Sequence, residues 1–231
     1  MRDRGGYNPE SEYSPEEMER LKFLTDLFSR GLDSDSIIAT HGTSLEVIQQ
    51  AVKTGNIPGS TIKKSRRSFY HPPGCLYINL TPDAAQSLGL PKDQANSGGY
   101  GEDIAKRHYL LSKLGLDFSN SRYSSLATDL TGPFPDRTID EALKQLKEMA
   151  PNLEKDQLEQ LIREAESRKG VLLGLDKSIA DQYQIQKAEG DDDGWYIEIP
   201  NGMPINFLAG LEPQGQQEWD YFENLQKALN I

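Results

Sequence analysis

Apolar positions along this chain recur with two different periods. Leu21, Leu24, Leu27 and Phe28 repeat at three- and four-residue intervals, as do Val47, Ile48, Ala51 and Val52, and both sets mark one face of a helix. The same spacing returns at Ile104, His108, Leu111 and Leu114, then at Leu143, Leu146 and Met149, and again at Leu158, Leu161 and Ile162. Residues 216–229 predict a terminal helix. Strand signals alternate with these. Residues 36–40, 74–80 and 171–175 are short apolar runs, and Trp195, Ile197 and Ile199 point one way while Tyr196 and Glu198 point the other.

Local punctuation sharpens these boundaries. Ser14, Pro15 and Glu17 form a helix start with a capping box, and Thr138 with Glu141 forms a second one. Ser44 is placed to cap the helix after residues 36–43, and Gly31 and Gly55 are placed to end the first two helices. Residues 1–13 read as a disordered arm, 56–73 as a long loop, and 116–137 as irregular. Pro151 divides residues 138–168 into a charged helical hairpin inserted between strand segments. The expectation is one α+β domain over residues 14–231 with a compact β-core and peripheral helices.

Charge and cysteine content narrow the function classes. The 231-residue chain carries 25 Lys and Arg against 36 Asp and Glu, a net charge of −11, which argues against general affinity for nucleic acid or anionic membranes. The basic cluster of Lys63, Lys64, Arg66 and Arg67 is the local exception, read as a solvated charge run or a phosphate contact. Cys75 is the only cysteine, so neither an intramolecular disulfide nor a cysteine-based zinc site can form. No apolar run approaches membrane-spanning length, and the N-terminal residues lack a secretory core. These features suit a cytoplasmic protein, or a toxin or effector delivered into a host cell without a Sec signal.

Three segments hold candidate chemistry. His41, Gly42 and Thr43 sit where a strand gives way to a helix; the glycine permits close backbone approach, and the imidazole offers both a donor and an acceptor. The same segment also reads as a plain strand-to-helix turn. Tyr77 lies in a strand followed by the small-residue helix start of Ala84 and Ala85, as a flat face for an aromatic ring or as a packed core residue. Glu198 lies on the strand face opposite the aliphatic residues, as a solvated edge residue or as a carboxylate aimed into a cleft. Gly98, Gly99, Tyr100 and Gly101 lack the spacing of a dinucleotide fingerprint and read as a mobile loop, with Tyr100 able to cover a ligand. His71 and His108 read as structural or surface residues, with no second ligand spaced for a metal.

In this order, these segments resemble the His-Tyr-Glu branch of the ADP-ribosyltransferase family, which includes diphtheria-toxin-like and poly(ADP-ribose)-polymerase-like enzymes. The likeness rests on His41, Gly42 and Thr43 with the exit at Ile57, Pro58 and Gly59, on residues 74–85, on the strand over 170–176, and on the late strand running into Gly202 and Pro204. It implies a split antiparallel β-core that clamps NAD. It further implies that His41 bonds an NAD ribose and that the Gly42 backbone, with Thr43 beside it, holds the nicotinamide amide. Tyr77 would stack on the nicotinamide ring, and Glu198 would stabilise the oxocarbenium-like transition state as nicotinamide leaves. The family's carboxylate is expected nearer Tyr196; Glu198 comes two residues later on the same strand face, with Asp192 and Asp193 as substitutes. The implied activity is mono-ADP-ribosyl transfer from NAD to an unidentified protein or nucleic-acid acceptor. The alternatives are a catalytically silent recognition domain, using the same cleft or the 138–168 hairpin, and an RNA 2′-phosphotransferase, which needs several arginines converging on phosphates.

Overall fold

A computed structural model describes residues 13–59, 74–87, 100–117, 120–131, 138–187 and 195–230. The arm up to residue 12, the basic cluster at 63–67, His71, Gly98, Gly99, Asp192 and Asp193 lie outside the described residues. Tyr13, the last residue of the expected arm, packs against the hydrophobic core.

The chain runs α1 (Pro15–Arg30), β1 (Ile37–Thr43), α2 (Leu45–Thr54), β2 (Asn56–Ile57), β3 (Cys75–Leu80) and α3 (Pro82–Ser87). Four helices follow: α4 (Tyr100–Lys113), α5 (Ser121–Thr131), α6 (Ile139–Leu146) and α7 (Lys155–Glu166). The sheet resumes with β4 (Val171–Asp176), α8 (Ile179–Gln182), β5 (Gln186–Lys187) and β6 (Trp195–Glu198). β7 (Met203–Pro204), a 3-10 turn (Ile205–Phe207), β8 (Leu208–Pro213) and α9 (Gln216–Leu229) complete it. The class is α+β, as the pattern predicts.

Among the described residues, six strands form one antiparallel sheet in the order β5-β6-β3-β1-β4-β8, while β2 and β7 pair separately. The pairing is uneven. β1 and β4 align from Ile37–Asp176 to Thr43–Val171, and β3 and β6 align from Cys75–Glu198 to Ile78–Trp195. Between β1 and β3 the ladder holds only Ala39–Leu80 and Thr40–Asn79. The sheet is therefore two halves, β5-β6-β3 and β1-β4-β8, joined by a short seam that ends one residue before His41.

Among the described residues there are two separate hydrophobic cores. One joins the core face of the sheet to α1, α2 and α9, through Leu24, Val47, Ile48, Leu173, Ile197 and Phe222 among others. The second lies among α4, α5, α6 and α7, around Leu110, Leu126, Leu130, Leu146 and Leu158. The helical hairpin expected over 138–168 is thus half of a four-helix block.

The expected caps are present. Ser14 and Thr138 each close a reciprocal box with the glutamate three residues on, Ser44 accepts from Val47 N, and Gly55 ends α2 in the left-handed region at φ 77°. Three segments differ from expectation. Residues 121–131 are helical rather than irregular, because Leu126, Ala127 and Leu130 bury one face against α4. Tyr100 and Gly101 form the first turn of α4 rather than a loop, and Gly101 packs closely on Gly42, where an added Cβ would lie 3.3 Å from its Cα. Asn56 and Ile57 leave the expected loop to pair with β7. Among the described residues, no helix is long and apolar enough to cross a membrane.

Candidate active site

The site is built where the two half-sheets part. Once the ladder between β1 and β3 stops, the next residue of β1 bridges the gap with its side chain. His41 Nδ1 lies 2.6 Å from the carbonyl oxygen of Tyr77. A carbonyl can only accept, so Nδ1 carries the proton and Nε2 keeps its lone pair. Burial lowers the imidazole pKa to about 4, against a smaller opposing effect from the Tyr77 carbonyl. His41 is therefore neutral at physiological pH, with one nitrogen fixed as donor and the other available as an acceptor.

Tyr77 belongs to the face of β3 turned away from the core. Leu76, Ile78 and Leu80 are buried, whereas Tyr77 and Asn79 are half-buried, as strand alternation requires. Tyr196 stands directly opposite Tyr77 in the ladder, and their ring centroids lie 6.0 Å apart at 36°. Gln186 of β5 stands opposite Tyr196 in turn. One face thus carries a transverse row of Gln186, Tyr196 and Tyr77, and His41 is tied to its inner end through the Tyr77 main chain.

Glu198 is on the same face but outside that row. It pairs with Cys75, two residues along β6 from Tyr196, and is exposed. It sits two strands from His41, and its link to the row runs through Gln186, whose Nε2 donates to Glu198 Oε1 at 3.4 Å. The Cys75 thiol is buried, and burial, then the Glu198 charge, push its pKa up. It is a poor nucleophile in this setting.

Gly42 and Thr43 take up different positions from each other. Gly42 is half-buried, with α4 against it at Gly101. Thr43 is 2% exposed, so its side chain is packed away from any ligand, and only the adjoining main chain remains for the role expected of it. Gly170, at φ 84°, is needed here, because a Cβ would come within 2.5 Å of the Thr43 carbonyl oxygen. His108 is structural, as expected: its Nδ1 lies 2.8 Å from Ser44 Oγ, and burial, followed by the neighbouring Arg107 charge, holds its pKa well down. Among the described residues, no group of three or more His, Cys, Asp and Glu could hold a metal ion.

The structure therefore joins His41 directly to the Tyr77 main chain, and Glu198 to Tyr77 through Gln186 and Tyr196. Sequence reasoning missed Gln186 and Tyr196 as members of the site. Tyr196 carried a readable signal, since it alternates with Trp195 and Ile197. Gln186 lies in a two-residue strand, too short to show a pattern. Compared with protein-family models, curated proteins and solved structures, the chain matches none.

Proposed function

We propose that this chain is an NAD-dependent mono-ADP-ribosyltransferase acting at the seam between β1 and β3. The observation that carries the reading is the neutral His41, locked by the Tyr77 carbonyl at the point where the sheet divides. A fixed acceptor nitrogen at the seam suits a ribose hydroxyl, and the half-buried ring of Tyr77 suits an aromatic base. The antiparallel sheet with its two-pair seam also agrees with the split core that the sequence resemblance implies. In the proposed reaction, the bond between ribose C1′ and the nicotinamide nitrogen breaks, and its electron pair leaves with nicotinamide. The acceptor's lone pair forms the new bond to C1′, and its proton passes to solvent or a nearby base. Glu198 would hold a ribose hydroxyl and offset the positive charge that develops on the sugar.

A second reading is favoured by one observation: Glu198 is exposed and two strands from His41. In that reading the cleft binds NAD, or a partner, without transfer. The RNA 2′-phosphotransferase reading has less support, since among the described residues the forces on His41 come from burial and the Tyr77 carbonyl, with no arginine among them.

Calorimetry with NAD and a nicotinamide-release assay separate these readings. The transferase reading expects wild-type binding and slow release. His41→Ala should weaken binding by on the order of tenfold or more, as loss of an oriented hydrogen bond costs about 1.5 kcal/mol. Glu198→Gln should bind normally and lose turnover. Binding without release in the presence of varied acceptors would put the silent domain ahead, and absence of binding would remove NAD from the account.

A further inference from the structure

We infer that Gln186 is a positioning residue for Glu198, set in orientation by Tyr196; the inference rests on the transferase reading above. The argument begins with a carboxamide, whose oxygen and nitrogen are nearly alike in shape but opposite in hydrogen bonding. Tyr196 Oη lies 3.0 Å from Gln186 Oε1, and its phenol proton is donated to that oxygen. The bond commits the amide oxygen and so turns Nε2 toward the other side. There it donates to Glu198 Oε1 at 3.4 Å. Without the phenol, the amide loses the donor that commits its oxygen away from the carboxylate.

Cross-strand register makes the relay specific to this face. Gln186 and Tyr196 are directly opposed in the ladder between β5 and β6, and Tyr196 is opposed to Tyr77 in the ladder between β6 and β3. The tilted ring contact of Tyr77 and Tyr196 fixes the phenol end of the relay. An exposed glutamate near a strand end otherwise samples several rotamers. The relay selects among them and ties the carboxylate to the tyrosine expected to face nicotinamide. Gln186 makes and breaks no bond in the reaction; it acts only through Glu198.

The test uses the full chain with Gln186→Leu, Tyr196→Phe and the double variant. Nicotinamide release, NAD affinity by calorimetry and the side-chain amide NMR signals of Gln186 are all read. Each single variant should lower kcat by on the order of tenfold to a hundredfold, the effect of a misplaced reacting group, with NAD affinity within about twofold of wild type. The double variant should be no worse than Gln186→Leu alone, because the two residues act in series. The Gln186 amide signals should move in both Tyr196→Phe and Glu198→Gln. Multiplying effects on kcat, or a loss of NAD affinity and thermal stability in step with kcat, would overturn the positioning role. Amide signals indifferent to Tyr196→Phe or Glu198→Gln would overturn the relay whether or not the protein turns over NAD. If instead those signals respond but wild type neither binds nor cleaves NAD, the transferase reading is what has failed, and the catalytic use of the relay falls with it.

Discussion

The β-core and the four-helix block bury side chains equally well, yet only one of them carries candidate chemistry. Leu173 of β4 and Leu158 of α7 are each 0% exposed, in separate hydrophobic cores. His41, Tyr77, Tyr196, Gln186 and Glu198 all belong to the sheet. The four-helix block meets the β-core through polar and close backbone contacts: His108 of α4 with Ser44 at the cap of α2, Glu102 of α4 with Lys169 just before β4, and Gly101 of α4 on Gly42 of β1. A joint of this kind is directional. It orients the block against β1 while leaving each core to hold itself together. The comparison teaches that burial alone does not mark the candidate site in this chain; the seam in the sheet does.

The strongest way to break that comparison is to cut one leucine from each core. Leu173→Ala and Leu158→Ala should each cost about 2–5 kcal/mol, since both side chains are fully buried. The costs should be felt in different places. Leu173→Ala should lower the global unfolding midpoint and weaken NAD binding. Leu158→Ala should raise hydrogen exchange across α4, α5, α6 and α7 while β1 and β4 keep their protection. Equal loss of protection throughout the chain in both variants would show one cooperative unit rather than two separable cores.

A second, somewhat smaller effect concerns the sheet alone. The His41 imidazole is lowered by burial from an ordinary 6.5 to about 4. The unfolded chain therefore takes up a proton at this site before the folded one does. The resulting stability is fully present above pH 6.5 and is lost progressively as pH falls toward 4, amounting to about 3 kcal/mol at most. Chemical denaturation from pH 7 to pH 4 measures it, and His41→Phe should flatten that part of the profile. NAD affinity should hold down to about pH 5 and fall as pH approaches 4, where the acceptor nitrogen becomes protonated. A fall in affinity centred near pH 6.5 would mean that the imidazole is not sheltered at the seam.

Much of this division was legible in the amino-acid pattern. The strand alternation of Trp195, Tyr196, Ile197 and Glu198 correctly gave the two faces of β6. The apolar spacing of Leu143, Leu146, Leu158 and Leu161 indicated helices over 138–168. It did not reveal that α4 and α5 share the same core. Residues 121–131 are rich in Ser and Thr, which are modest helix formers, and that composition concealed Leu126, Ala127 and Leu130 at helical spacing. At the site, the facing direction of Glu198 was readable, but its neighbours were not. They depend on β5, a two-residue strand brought alongside by tertiary pairing, and on the register that sets Glu198 against Cys75 rather than Tyr77.

The smallest test uses the same motif in both regions. Ser14 and Glu17 close a capping box at α1, which packs on the β-core, and Thr138 and Glu141 close one at α6 in the helical block. The bonds are closely matched: Glu17 N to Ser14 Oγ is 3.2 Å, and Glu141 N to Thr138 Oγ1 is 3.3 Å. Ser14→Ala and Thr138→Ala should therefore each cost about 1 kcal/mol locally. If the cores are separate, Ser14→Ala should lower the global midpoint by roughly 2–4 °C, the shift expected for a chain of this size. Thr138→Ala should instead speed exchange in α6 and α7 and leave the β1 amides unchanged. Because the chemistry of the two caps is the same, any difference in how far the loss spreads measures the coupling across the polar joint rather than the strength of the cap.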